Sequence, residues 1–190
     1  MTENPVNIDT LKRIVVIGSS CAGKTTFARK LSRVLNAKNI EMDWLNWLPN
    51  WEERPTEELR EMVDQETSAE KWVLDGNYSR TRDIAWNRAT HAIWLNVSFP
   101  LAMVRAIKRT TKRAVTGEEI CGGNRETFRH SFLSTDSMII WSLRTYHSRR
   151  RRYRKQVEEN QYKNLSFIVF ENSRDPEEFL KTLESNSPAR

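Results

Sequence analysis

The stretch "RIVVIGSSCAGKTTFARKL", residues 13–31, constrains this chain more than any other. A short apolar run rich in β-branched residues leads into Gly18, and a second glycine, Gly23, stands directly before Lys24, Thr25 and Thr26. The chain has only six glycines in 190 residues, so two in one loop must answer a local need. The run "RIVVI" is typical of a strand buried on both faces. Phe27, Leu31 and Leu35 then recur at helical spacing. Strand, G-x-x-x-x-G-K-T and helix is the context a phosphate-binding P-loop requires.

The chemistry follows from the residue types. Glycine lets the backbone curl so that successive N–H groups face one anion, and the helix N-terminus adds its own unpaired N–H groups. The loop Gly18, Ser19, Ser20, Cys21, Ala22, Gly23 is thus a candidate nucleotide cradle. Lys24 would reach the β- and γ-phosphates as a mobile charge, Thr25 would offer its hydroxyl to Mg²⁺, and Thr26 would lie near the α-phosphate. ATP or GTP is the expected phosphoryl donor. Cys21 reads as a small filler within the loop.

Two further features share the pattern of a strand ending in a polar group. "WVLDGNYSR" (72–80) puts Asp75 at the C-terminal edge of a strand, where open α/β sheets bind ligands, so it could hold Mg²⁺ through water. Gly76, Asn77, Tyr78 and Arg80 follow it. "NIEM" (39–42) reads as a second strand, and "DWLNWLPNWEERP" as a Trp- and Pro-bearing loop. There Asp43 could orient or deprotonate an acceptor hydroxyl, and Trp44, Trp47 and Trp51 could wall the acceptor. Each Trp also fits as ordinary core beneath the loop. Apolar runs at 91–97 and 165–171 give a fourth and a fifth strand, and "TEELREMVDQETSAE" reads as a helix.

Between strands four and five lies a long basic region, about 100–163, with helical pattern at both ends. Its middle, "TGEEICGGNRE", holds three of the six glycines and reads as a mobile loop. Arg105, Arg109 and Lys112 fall on one helical face, and Arg144 and Arg149 to Arg152 follow further on. Phosphoryl transfer spreads charge over equatorial oxygens, which guanidinium groups on a closing segment stabilise, and Arg109 and Arg144 are the candidates. Most of the 149–152 run reads as solvated, although residues 149–155 could also serve as a nucleic-acid patch. "DPEEFLKTLE" reads as a closing helix with Asp175 as N-cap. His91, His130 and His147 share no metal spacing and read as structural.

Composition sets the outer bounds. Charged residues make up 29% and hydrophobic ones 38%, as in a globular chain, and no apolar run approaches a membrane span. The two cysteines form neither a disulfide framework nor a metal-ligand spacing. The polar first residues carry no signal-peptide core, so the cytoplasm is the expected location. The net charge of +6 favours an anionic partner without choosing one.

On these motifs the chain resembles the adenylate-kinase-related P-loop proteins of the DNA topology modulation group, over about residues 12–183. The resemblance rests on "GSSCAGKTT", "MDWLNWLPNW", "DGNYS" and "NRETFRHSFLSTDSMIIWSLRTYHSRRRRY". It implies an α/β fold: a three-layer P-loop NTPase with a five-stranded parallel sheet, nucleoside-monophosphate-kinase-like, with a mobile lid insertion. One domain spans 1–190, with a core of 12–42, 71–109 and 150–183, an acceptor-binding segment at 43–70 and a lid-like region at 110–148. Arg125, in the distinctive "GNRE", joins the substrate-side candidates, and Arg105, Arg109, Arg144 and Arg149 fall where lid arginines would sit. True adenylate kinases carry Asp-Gly-Phe-Pro-Arg where this chain has "DGNYSR", so AMP is not implied as acceptor, and Arg80 could replace their phosphate-binding arginine. The resulting expectation is a kinase that moves the γ-phosphoryl group of ATP to a nucleotide or another small acceptor. The alternatives are a nucleic-acid-linked NTPase or regulator and a nucleotide-binding protein without turnover.

Overall fold

A computed structural model describes residues 7–125, 138–159, 162 and 164–186. The strands are β1 (Arg13–Gly18), β2 (Lys38–Glu41), β3 (Trp72–Asp75), β4 (His91–Leu95), β5 (Glu119–Ile120), β6 (Asn124–Arg125) and β7 (Ser166–Phe170). The helices are α1 (Lys24–Val34), α2 (Met42–Asn46), α3 (Thr56–Glu66), α4 (Arg82–Arg88), α5 (Phe99–Thr116), α6 (Met138–Glu159) and α7 (Asp175–Asn186). Five strands form one all-parallel sheet in the order β2-β3-β1-β4-β7. β1 lies at the centre because its side chains feed both faces. Ile14 and Val16 join the apolar cluster under α1, α5 and α7, while Val15 and Ile17 join the one under α3 and α4. All four are fully buried, which is why this run lacks polar alternation.

The strand order places the site. From β1 the chain crosses past β3 to reach β2, and β4 pairs on the other side of β1. Such a reversal opens a crevice at the carboxyl ends of the strands, and the loop after β1 fills it. Gly18 is required there: a Cβ would stand 2.8 Å from the Leu95 carbonyl oxygen of the neighbouring strand. No helix among the described residues is long and apolar enough to cross a membrane.

Several expectations need correction. The Trp-bearing loop contains the short helix α2 and a 3₁₀ turn at Pro49–Trp51. α4, after "DGNYSR", has no strong periodic signature in only seven residues and was not anticipated. The lead-in is less loose than its polarity suggests, because Leu11 is buried in the core. Asp175 is not the cap of the last helix but its first residue, and the Asn172 side chain accepts the N–H groups of Arg174 and Asp175 instead.

The largest correction concerns "TGEEICGGNRE". Residues 119–125 form an antiparallel hairpin, β5–β6, docked on the Trp-bearing segment rather than an open loop. Asn124, 5% exposed, holds it there. Its Oδ1 accepts the Trp51 N–H (2.9 Å), and its Nδ2 donates to the Leu48 (2.9 Å) and Cys121 (2.8 Å) carbonyls. Gly122 lies so close that a Cβ would meet the Trp47 carbonyl oxygen at 2.7 Å. Gly122 therefore serves close packing, whereas Gly117 and Gly123, where a Cβ would meet nothing within 4 Å, supply positive φ (61° and 72°). Of the rest of the expected 110–148 lid, residues 110–116 belong to α5 and 138–148 to α6, while 126–137, with His130, lie outside the described residues.

Asn124→Ala should strand three buried backbone groups at once and cost about 2–3 kcal/mol. Urea unfolding would show it as a lower midpoint at unchanged slope. An unaltered midpoint would mean the docking is incidental.

Candidate functional site

The donor side is built from the β1–α1 loop and the end of β3. Gly23 caps α1 in a left-handed conformation (φ 97°), and Cys21 also has positive φ (60°). Cys21 is thus buried filler that also carries a backbone conformation uncommon outside glycine. The Lys24 Nζ donates to the Ser19 carbonyl at 3.0 Å, folded back across its own loop. The Arg105 Nη1, from α5, donates to the Ala22 carbonyl at 3.0 Å, so one expected lid arginine braces the loop.

The Thr25 hydroxyl donates to Asp75 Oδ2 at 2.5 Å. Register explains the meeting: Val16 pairs with Asp75, and Asp75 pairs in turn with Glu41. Asp75 is 7% exposed, and its Oδ1 is buried without a hydrogen-bond partner. Burial raises the pKa of this carboxyl; Lys24 and the Thr25 hydrogen bond pull it down, while Asp43 and Glu41 push it up. A further carboxylate at this edge, Glu41 of β2, was not singled out from the sequence. Arg29 clamps it with two hydrogen bonds (2.5 and 2.8 Å), and only the β2–β3 register brings it beside Asp75.

The acceptor side is the segment after β2. Asp43, exposed, accepts a 2.6 Å hydrogen bond from the Tyr78 hydroxyl. Burial, and then the Asp43 charge, raise the pKa of that hydroxyl far above its ordinary value, so it stays a donor; the Trp47 side chain also hydrogen-bonds it. Trp47 and Trp51 pack edge-to-face at 5.7 Å, and Trp44 is 55% exposed beside Asp43. The three rings thus divide into a packed pair and one ring open to solvent.

Arg80 is committed elsewhere. It donates to the Asn46 side chain, to the Arg54 carbonyl (3.1 Å) and to the Thr56 hydroxyl (3.2 Å), and pairs with Glu53 at 3.2 Å. It fastens the acceptor segment to the β3–α4 loop. Arg125 pairs with Glu119 across the hairpin at 2.5 Å. The Arg109 Nε is buried without a partner, and Arg144 is exposed on α6. Asn77 accepts the Arg82 Nε–H at 2.9 Å.

The basic run is less solvated than its composition suggests. The Arg150 Nε donates to Asn96 Oδ1 at 2.9 Å, just past β4, and Arg149 lies 5.3 Å from the centre of the Trp141 ring. Tyr146 and Tyr153, buried on the same helix, pack into opposite faces of the sheet, and the Tyr146 hydroxyl donates to the Val97 carbonyl at 2.7 Å. His91 is buried against the Thr90 hydroxyl with its pKa lowered by burial, and His147 packs on Phe99 and Tyr146. Both are structural. Neither cysteine is in a disulfide, and both are buried. No cluster among the described residues has the composition of a His/Cys/Asp/Glu metal centre, which leaves Thr25 and Asp75 as the candidate Mg²⁺ groups.

No protein-family model and no curated protein matches the chain. Solved structures do. Shikimate kinase from Bacteroides thetaiotaomicron is similar at 16% identity with a TM-score of 0.52, covering 92% of this chain and 97% of that one. Shikimate kinase from Aquifex aeolicus vf5 is similar at 17% identity with a TM-score of 0.50, covering 94% and 99%. Identities this low carry the fold and not the substrate. The DNA topology modulation group finds no support in these comparisons. The chain has the α/β fold of the P-loop kinases, with a five-stranded parallel sheet.

Proposed function

We propose that the protein is a P-loop phosphotransferase that moves the γ-phosphoryl group of ATP or GTP to a hydroxyl of a small acceptor. The observation that carries this reading is Asp43: an exposed carboxylate, oriented by Tyr78, at the same sheet edge as Lys24, Thr25 and Asp75. An acceptor phosphate is already ionised and would be repelled by Glu41, Asp43 and Asp75 together. An acceptor hydroxyl must lose a proton as it attacks, and Asp43 is placed to take it.

The donor residues fit Mg²⁺–nucleotide. The partnerless Oδ1 of Asp75, buried beside a threonine hydroxyl, suits a hydrated hard cation, and Mg²⁺ would supply charge neutralisation on the phosphates. Lys24 leaves the Ser19 carbonyl for the β- and γ-phosphates, while the loop N–H groups hold the β-phosphate. Asp43 receives the proton of the attacking hydroxyl. Arg109, at the border of a lid-like region over 110–148, and Arg144 within it neutralise charge on the phosphoryl group in flight, and Trp44, Trp47 and Trp51 in the 43–70 segment wall the acceptor and keep water out. Membership of the adenylate-kinase-related, DNA topology modulation-like group belongs to the same proposal and is supported by the quoted motifs. A nucleic-acid partner would rely on Arg151, Arg152, Arg154 and Lys155, the exposed part of the basic run.

Incubation with Mg²⁺ and γ-labelled ATP, with a panel of nucleosides, monophosphates and small alcohols, should place the label on a hydroxyl of the acceptor and not on an acceptor phosphate. Lys24→Ala should abolish the label, and Asp43→Asn should reduce it by about 100-fold or more while nucleotide binding persists. Label released only as phosphate, faster with DNA, would defeat the proposal in favour of the nucleic-acid reading.

Asp75→Asn should separate stability from function. Because the folded state holds the Asp75 proton more tightly than the unfolded chain does, ionisation costs stability, and that cost is felt above the folded pKa. The amide should therefore raise Tm at neutral pH, at about 2–4 °C per kcal/mol gained, and the gain should vanish as pH falls towards the ordinary value of 3.8. Transfer should be lost. A variant less stable than the parent at pH 7 would overturn this account of the carboxyl.

A further inference from the structure

The acceptor side treats its arginines in two ways. Arg29 pairs with Glu41, Arg54 with Glu58, Arg60 with Asp83, Arg80 with Glu53 and Arg88 with Asp64. Arg82 has no such carboxylate among the described residues. It is half-buried, its guanidinium lies 5.5 Å from the centre of the Trp86 ring, and its Nε is spent on Asn77. Its terminal nitrogens make no hydrogen bond within the described residues. Its charged neighbour is a second arginine, the exposed Arg152 of α6; that charge adds to burial in lowering the Arg82 pKa, and only the Tyr162 and Tyr153 oxygens act in the other direction.

Donors are in excess here. The Asn77 Nδ2 is buried without a partner, and Gly76, Asn77, Tyr78, Thr81, Arg82 and Trp86 line one water-sized cavity. Tyr78, in the same wall, is the residue that holds Asp43. A half-buried guanidinium facing another cation and unused N–H groups is costly unless an anion completes the set. Five arginines nearby show that this chain supplies carboxylates where the need is structural.

We infer that Arg82, Arg152 and Asn77 form a subsite for a compact anionic group, a carboxylate or a phosphomonoester, carried by the acceptor. The inference rests on the phosphotransferase reading and deepens it: the acceptor bears a hydroxyl for Asp43 and an anionic group for Arg82. Half-burial of Arg82 selects a terminal group over a nucleic-acid diester. Bidentate guanidinium contact explains why arginine rather than lysine stands there.

The test is calorimetric titration of the full chain with inorganic phosphate after saturation with Mg²⁺ and a non-hydrolysable ATP analogue, so that the P-loop is already filled. One phosphate per chain should bind. Arg82→Gln should weaken it about tenfold or more, Arg82→Lys less, and Arg152→Gln, at an exposed position that leaves folding intact, should weaken it several-fold. The same titration on Lys24→Ala without nucleotide should still find the Arg82-dependent site. Loss of analogue binding in the parent chain counts against the phosphotransferase reading, whereas phosphate binding that ignores both arginine variants, or no binding at all, overturns the subsite.

Discussion

The hydrogen bond from Thr25 to Asp75 ties together everything the site needs. It joins the first turn of α1 to the end of β3, and so sets the phosphate loop, the helix and the metal-side carboxylate in one frame. Lys24 and Thr25 offset part of the desolvation of the nearly buried Asp75. The offset is incomplete, and the carboxyl remains harder to ionise than an ordinary one. A residue kept at such a cost to stability is the pattern expected of a functional group.

From that frame the acceptor side follows by register. Glu41 stands opposite Asp75, and Asp43 lies two residues later in the first turn of α2. The exposed Asp43 could swing freely, but Tyr78 reaches it from the loop after β3, and Trp47 supports Tyr78 in turn. Trp47 belongs to the segment that Asn124 and Gly122 clamp from the hairpin. A structural path thus runs from the β5–β6 hairpin to Asp43, the proposed base, through packed, hydrogen-bonded neighbours. Such a path suits a kinase, where closure over the acceptor and orientation of the base must coincide.

How much of this was legible in the sequence depended on the range of the interactions. The five strands, the loop of residues 18–25 and the placement of Asp43 and Asp75 could be read, because each rests on local periodicity or spacing. The docked hairpin could not, since three glycines and an asparagine look like a loose loop until a partner surface is present. Arg80 and Arg82 show the same limit. Two arginines two residues apart are equivalent on paper, and only the fold gives one a carboxylate and the other a second arginine. Arg150 likewise gained its role from α6 passing close to the end of β4, where Asn96 accepts its Nε–H, whereas Arg149 lies over Trp141 of its own helix.

The central claim is that Lys24 and Thr25 hold protein partners that a Mg²⁺–nucleotide replaces. A crystal structure of the complex with Mg²⁺ and a non-hydrolysable ATP analogue tests it most directly. The account predicts that the Lys24 Nζ leaves the Ser19 carbonyl for the β- and γ-phosphates, and that the Thr25 hydroxyl turns to the metal while Asp75 holds its water. A nucleotide bound with both the Lys24–Ser19 and Thr25–Asp75 bonds intact would contradict it.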